Sequence, residues 1–266
     1  MGQYWRVVNL DKRQTPSQGH WGKLGECLFD GSPDTLIPLL KRAFDVAPHA
    51  TNSDSALPLE TSWAGDRIIC LGDYHEDLPA GMLSTSEQEE LDKADEGEEM
   101  KLYEFASEHY QNVNGTSAFN RPQLSGGQWI LRNLSKYEYV REEAIKVAGG
   151  KGMSDNRSSK EVGLGQVVLS RICWSTDDSC AMSYYDEDIH RGVWAGDRFD
   201  ITTIDQIGVK DGEKQWTDVS DEVAKEMTEI WVGEYGNEWL EHKVSALCTR
   251  LLFLIDSQQN KVQRSC

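Results

Sequence analysis

The sequence predicts an α+β fold made of two diverged copies of one α+β unit, packed as a pseudo-two-fold globule. Three observations predict it. Two motifs recur in the same order along the chain. Strand and helix signals occur in both halves without a regular βαβ alternation. Hydrophobic residues make up 38% of the 266 positions, which is enough for a packed core. We place the units at residues 1–120 and 121–266.

The evidence for duplication is a pair of repeated motifs. Trp-x-x-x-Asn-Leu-x-Lys begins at Trp5 and again 124 residues later at Trp129. The pentamer WAGDR begins at Trp63 and again 131 residues later at Trp194. The spacing is nearly constant, which is typical of a duplicated unit with one small insertion. The alternative is that both motifs are common turn-and-strand sequences.

Each motif predicts a strand next to a turn. The Asn of the first motif suits a polar turn, because its side chain can bond nearby backbone groups. The Gly and Asp of WAGDR permit a tight turn before an apolar strand, so this pentamer predicts a hairpin. Together with apolar runs elsewhere, these signals predict strands over residues 4–10, 24–29, 67–72, 128–133, 165–173 and 198–204.

Helices are predicted from start signals and from apolar residues at helical spacing. Ser32-Pro33-Asp34 is a typical helix start, and the segment from Ser135 to Glu138 fits a capping box. An acid-rich stretch over 87–99 predicts a solvated helix, or alternatively a docking surface for a basic partner. The other helices are predicted over residues 34–44, 135–148, 220–232 and 238–255, and loops over 45–62 and 149–161.

The charge of the chain limits its partners. Asp and Glu number 45 against 27 Lys and Arg, so the net charge is −18. Nucleic acids and anionic membranes attract cationic surfaces, so we expect neither as a partner. The sequence begins without the apolar segment of a secretory signal, and no apolar run approaches the roughly twenty residues of a membrane helix. We therefore predict a cytoplasmic protein whose six scattered cysteines are free thiols.

The standard catalytic and nucleotide-binding motifs are missing from the sequence. It contains no P-loop, no dinucleotide fingerprint, no G-x-S-x-G elbow and no HExxH. The LSGGQ at 124–128 spells the signature of ABC-type ATPases, but that motif needs a partner P-loop, so we interpret it as coincidence. These observations favour a binding protein over an enzyme.

The repeated WAGDR residues are the candidate ligand contacts. Aromatic faces pack against apolar sugar faces while carboxylates accept sugar hydroxyls, and the chain holds nine Trp. The expected ligand is therefore a small molecule, a glycan or a protein. The residues predicted to frame the site, or its scaffold, are Trp63, Arg67, Trp194 and Arg198. The alternative for both Trp residues is core packing.

Two clusters of Asp and His support a second hypothesis, a metal-dependent hydrolase. Alternate residues of an extended segment point the same way, and carboxylate and imidazole groups bind divalent metals. A bound metal would lower the pKa of its water and make a nucleophile near neutral pH. The predicted ligands of this divalent metal are Asp73, His75 and Asp77, together with Asp186, Asp188 and His190. The alternative is a pair of polar loops whose acids face water.

Three segments of the sequence are distinctive enough for a comparison with known families. They read YWRVVNLDKR, WAGDRIICLGDY and LRNLSKYEYVRE. In these segments the chain resembles an uncharacterised group of fungal proteins. The resemblance implies a fungal origin and a cytosolic setting. It implies no activity, cofactor or site.

Overall fold

The computed structural model describes residues 3–17, 22–30, 32–41, 62–94, 100–113, 128–148, 162–177, 191–207 and 215–235. The strands in these ranges are, in chain order, β1 (Trp5–Asn9), β2 (Gln14–Pro16), β3 (Ile68–Gly72), β4 (Gln111–Val113), β5 (Trp129–Asn133), β6 (Glu138–Arg141), β7 (Cys173–Trp174), β8 (Phe199–Thr203) and β9 (Thr217–Asp218). The described strands form two sheets, in the orders β4-β2-β1-β3-β7 and β8-β5-β6-β9.

Helices accompany both sheets, and the fold is α+β as predicted. Among the described residues they are α1 (Leu24–Asp30), α2 (Leu36–Leu40), α3 (Thr85–Ala94), α4 (Leu102–His109), α5 (Glu142–Ala148), α6 (Leu164–Ile172) and α7 (Ser220–Tyr235), with 3₁₀ turns at Ser32–Thr35 and Ile204–Gln206. The main apolar core takes residues from both halves of the chain, whereas a second cluster lies beneath α3 and α4. None of the described helices is long and apolar enough to cross a membrane.

The two sheets have the same central arrangement. In the first, β1 lies between antiparallel partners, and Trp5 faces Gly72 across the register. In the second, β5 lies between antiparallel partners, and Trp129 faces Thr203. A parallel strand follows next to the hairpin in each case, β4 beside β2 and β9 beside β6. The strands that follow the repeated motifs therefore pair in the same way in both halves.

Equivalent hydrogen bonds surround the two WAGDR turns. Asn9 Nδ2 donates to Asp66 Oδ2 at 2.8 Å, and Asn133 Nδ2 donates to Asp197 Oδ2 at 2.8 Å. Both turns also contain a glycine with positive φ, Gly65 at 94° and Gly196 at 80°. These contacts support our proposal that the halves arose by duplication.

The two halves also exchange contacts at their sheet edges. Lys41, directly after α2, forms a parallel bridge to Ile201 of β8. Cys173 of β7, directly after α6, pairs in parallel with Cys70 of β3. Each half thus extends the other half's sheet, so the two units interlock. The boundary between residues 120 and 121 stays a prediction.

Two predicted strands are wrong. The segments 24–29 and 165–173 are occupied by α1 and α6 instead. All nine residues of α6 are buried, including the polar Gln166, Ser170 and Arg171, so no face of the helix is left to solvent. The short apolar run at its centre, Val167–Leu169, cannot be distinguished from a buried strand by periodicity.

The predicted helices have mixed outcomes. Helix 220–232 is confirmed as α7. Helix 34–44 is a 3₁₀ turn followed by the short α2, and its last residues lie outside the described ranges. Helix 135–148 is partly wrong, because β6 precedes α5 there. The described part of the acidic stretch lies in α3. The helix predicted over 238–255 and most of both predicted loops lie outside the described residues.

The close contact of α6 with the 3₁₀ turn leads to a first prediction. A Cβ on Gly165 would lie 2.4 Å from Pro33 O and 2.6 Å from Pro33 C, which are backbone atoms. We expect Gly165→Ala to lower the free energy of unfolding by about 1–3 kcal/mol, since overpacking forces the elements apart. Urea unfolding followed by Trp fluorescence measures this.

Gly163 provides a matched control two residues away. A Cβ there would meet only Gln166 Oε1 at 3.4 Å and Asp34 Oδ1 at 4.0 Å, which are ordinary contacts. Gly163→Ala should therefore cost about 1 kcal/mol or less, the size of a changed helix N-cap. Equal losses in the two variants would contradict the close packing of α6 on the 3₁₀ turn.

Candidate functional site

A cavity of about 610 Å³ lies between the loop that follows β3, helix α3 and the start of α4. Its lining comprises residues 75–83, 88, 91–92 and 100–102. The volume falls within the range of small-molecule sites. The cavity belongs to the first half alone, because the chain between β8 and β9 is much shorter than that between β3 and β4.

Close packing at the end of β3 positions the cavity loop. A Cβ on Gly72 would lie 2.2 Å from Gln3 Oε1 and 3.2 Å from Ser175 Cβ, so a larger residue would displace these neighbours. The chain then turns, and the backbone N–H of His75 donates to Gly72 O at 3.1 Å. This turn points the imidazole back toward the strand end.

His75 is the most buried polar group of the cavity, with 2% of its surface exposed. Its Nδ1–H donates to Gly72 O at 2.8 Å, which leaves Nε2 as the acceptor nitrogen. Among the described residues, Nε2 has no hydrogen-bond partner. Burial lowers the pKa of His75 from its ordinary value, although Glu104 opposes the shift. The ring is therefore neutral at pH 7.

Carboxylates outnumber cations in the cavity lining. Glu76, Asp77 and Asp92 lie there, against Lys101. Asp77 Oδ1 is 3.4 Å from Arg191 Nη1, so its charge is partly offset. Glu76 and Asp92 are exposed to solvent. The cavity therefore carries a negative potential, in keeping with the net charge of −18.

Apolar side chains also line the cavity. Met82, Leu91 and Leu102 are buried at the cavity wall, and Leu83 and Met100 are half-buried. Among the described residues, no Trp, Tyr or Phe lines it. Methionine side chains adapt to ligands of different shape, because they are flexible and polarisable.

The predicted metal ligands on the first loop each have a different environment. Asp73 Oδ1 accepts the backbone N–H of Tyr4 at 3.0 Å, and His75 is tied to the strand end as described. Asp77 faces Arg191. Within the described ranges, no three His, Cys, Asp or Glu residues form a group that could hold a metal ion. Asp186, Asp188 and His190 lie outside those ranges, so the metal-dependent hydrolase stays a prediction.

Trp63 and Trp194 are core residues, with 0% and 1% of their surfaces exposed. Trp63 Nε1 donates to Gln14 Oε1 and Trp194 Nε1 donates to Glu138 Oε2, both at 2.8 Å. Neither indole has a face open to a ligand in this structure. Both residues pack in the core, which was the alternative interpretation of the sequence.

Arg67 connects the WAGDR turn to the cavity. Its Nη1 donates to Met82 O at 2.7 Å, and its Nη2 donates to Glu87 Oε1 at 2.8 Å. Met82 belongs to the cavity loop, and Glu87 lies in the first turn of α3. Arg67 therefore positions two parts of the cavity wall without lining the cavity itself.

Asp11 joins the two repeated arginines. It accepts Arg67 Nε at 2.7 Å and Arg198 Nη1 at 2.6 Å. Burial alone would raise the pKa of Asp11, but the hydrogen bonds and charge of Arg67, with the charge of Arg198, outweigh it and lower the pKa. Arg198, predicted as a ligand contact, thus lies at this junction, and it also donates to Gly65 O at 2.9 Å.

Of the predicted site residues that the structure describes, His75 and Asp77 line the cavity, and Trp63, Arg67, Asp73, Trp194 and Arg198 do not. The sequence analysis missed the apolar wall and Lys101, because these residues come from segments that pack together only in the fold. One available signal was the acid-rich stretch over 87–99, whose Gln88, Leu91 and Asp92 reach the lining.

Comparisons with known proteins do not assign a family. No protein-family model, no curated protein and no solved structure matches the chain. The resemblance to fungal proteins therefore stays a prediction. The case for function depends on the cavity itself.

Proposed function

We propose that this protein is an intracellular binding protein that takes a small ligand into the cavity between the β3 loop, α3 and α4. The observation that carries the proposal is a ligand-sized cavity with a buried histidine, whose Nε2 lacks a partner among the described residues. Apolar walls with a few convergent polar groups are typical of small-molecule sites.

Charge and cysteine chemistry support the cellular setting that we propose. The net charge of −18 disfavours nucleic acid and anionic membranes as partners. Cys27, Cys70 and Cys173 are buried free thiols, and reduced cysteines are typical of the cytoplasm. Among the ligands considered, a small molecule is favoured over a glycan because the described part of the cavity lining holds no aromatic side chain.

Blocking the cavity tests the proposal. Ala80 lies in the cavity loop and is exposed, so Ala80→Trp should fill the entrance with little effect on folding. We expect at least one of three probes, hexylamine, hexanoate or glucose, to bind the wild type in isothermal titration calorimetry. The Ala80→Trp variant should bind that probe at least about tenfold more weakly, since the ring occupies its volume.

Val193→Trp is the matched control, because Val193 is 61% exposed and outside the cavity. It adds the same indole at a remote site and should leave probe affinity unchanged. If no probe binds, or if binding is the same in both variants, the proposed function is wrong.

A further inference from the structure

We infer that the cavity selects ligands with a primary ammonium or guanidinium group on an apolar body. This inference rests on the proposed function and adds the chemical class of the ligand. It follows from three features of the lining: an acceptor nitrogen, an excess of carboxylates and an apolar wall.

The acceptor is His75 Nε2. Because Nδ1–H is held by Gly72 O, the ring presents an unprotonated nitrogen at its other edge. A ligand N–H can donate to this nitrogen, whereas a ligand group that only accepts cannot bond it. The structure therefore favours a ligand that donates a hydrogen bond over one that only accepts.

The charges around His75 favour a ligand that carries positive charge. Glu76, Asp77 and Asp92 in the lining exceed the one lysine, Lys101. Glu104 of α4 acts on His75 electrostatically, and its Oε2 is buried without a hydrogen-bond partner. An N–H donor that also carries positive charge gains from both features, because charge-assisted hydrogen bonds are stronger than neutral ones.

The wall defines the remainder of the ligand. Leu83 and Met100 line the cavity and are only half-buried, so a ligand that covers them removes apolar surface from water. A small, fully hydrated inorganic cation would gain nothing from this wall. An alkyl or arylalkyl amine matches the acceptor, the charge and the apolar surface together.

Four probes of the same chain length separate these features. Hexylamine has charge and N–H donors, hexyltrimethylammonium has charge without a donor, hexanol has a donor without charge, and hexanoate has the opposite charge. We expect hexylamine to bind at least about tenfold more tightly than the other three probes. A buried charge-assisted hydrogen bond contributes a difference in affinity of this size. Isothermal titration calorimetry at pH 7.5 measures the four affinities.

Variants assign the effect to residues. His75→Asn keeps a side-chain donor for Gly72 O but removes the Nε2 acceptor, so it should lower the affinity for hexylamine about tenfold or more. Asp92→Asn removes an exposed charge without threatening the fold, and should weaken hexylamine about two- to fivefold. Glu89→Gln is the control, because this substitution also removes one negative charge from α3, at a position outside the cavity lining. It should leave the affinity unchanged.

The outcomes separate this inference from the proposed function. If hexanoate, hexanol or glucose binds better than hexylamine and Ala80→Trp blocks it, the function stands and the amine class is wrong. If hexyltrimethylammonium binds as tightly as hexylamine, the proposed amine recognition is wrong. It is also wrong if Asp92→Asn changes the hexylamine affinity no more than Glu89→Gln does. If no probe binds in the cavity, both proposals fail.

Discussion

Arg132→Val should destabilise the protein by about 3–5 kcal/mol, because it removes one partner of a buried, doubly hydrogen-bonded ion pair with Asp200. Arg132 and Asp200 are 1% and 0% exposed. Nε and Nη2 of the arginine donate to the two carboxylate oxygens, each at 2.8 Å. The Arg132 guanidinium also lies 5.0 Å from the centre of the Trp216 ring. Urea unfolding monitored by fluorescence gives the loss.

The chain itself supplies a design for rescue. At the equivalent register of the first sheet, Val8 faces Ile69, whereas in the second sheet Arg132 faces Asp200. Arg132→Val combined with Asp200→Ile reproduces the apolar pair. Replacing both charges by apolar residues removes both partners of the ion pair, so the double variant should be much more stable than either single variant.

A double-mutant cycle measures this coupling. The expected result is a loss in the double variant that is clearly smaller than the sum of the two single losses. Additive losses would show that the ion pair contributes nothing beyond the packing of its two side chains, and would contradict the prediction.

Trp63→Ala and Trp194→Ala should each cost about 3–5 kcal/mol, the range for removal of a buried aromatic residue. The two losses should be similar, because both rings are fully buried and both indole N–H groups are hydrogen-bonded. Thermal and urea unfolding measure them. Tyr4→Ala is the control, because Tyr4 is 49% exposed and should cost far less.

Milder variants separate packing from ligand contact. Trp63→Phe and Trp194→Phe keep an aromatic ring but lose the N–H that satisfies Gln14 and Glu138, so stability should fall by about 1–3 kcal/mol. Hexylamine affinity should stay unchanged in the folded fraction. If a variant of normal stability no longer bound hexylamine, the tryptophan would be a ligand contact and the core assignment would be wrong.

Local sequence signals predicted the elements that are governed by local physics. The Asn of Trp-x-x-x-Asn-Leu is the last residue of β1 and of β5, directly before a turn. The Gly-Asp of WAGDR lies at a turn, and β3 and β8 follow it as expected. Such turns need a particular backbone shape or a side chain that bonds nearby backbone groups, so a few residues identify them. Helix α7 was also predictable, because one of its faces is apolar.

Predictions failed where burial removes the periodic signal. Segment 165–173 was predicted as a strand, yet most of it forms α6, whose apolar and polar residues alike are buried. Its helical state is decided by packing against the 3₁₀ turn and the strands, and these contacts join residues that are far apart in sequence. Periodicity carries no information about such a segment.

By itself, the sequence determined the α+β class, the acidic charge and the paired turns, because composition and local turn chemistry specify these properties. Tertiary structure alone decided the role of the candidate residues. It placed Trp63 and Trp194 in the core and made Arg67 a support for the cavity wall. It also brought His75 together with Asp92 of α3 and with Lys101, which lies directly before α4. A cavity is a property of packed surfaces, and only the folded chain brings those surfaces together.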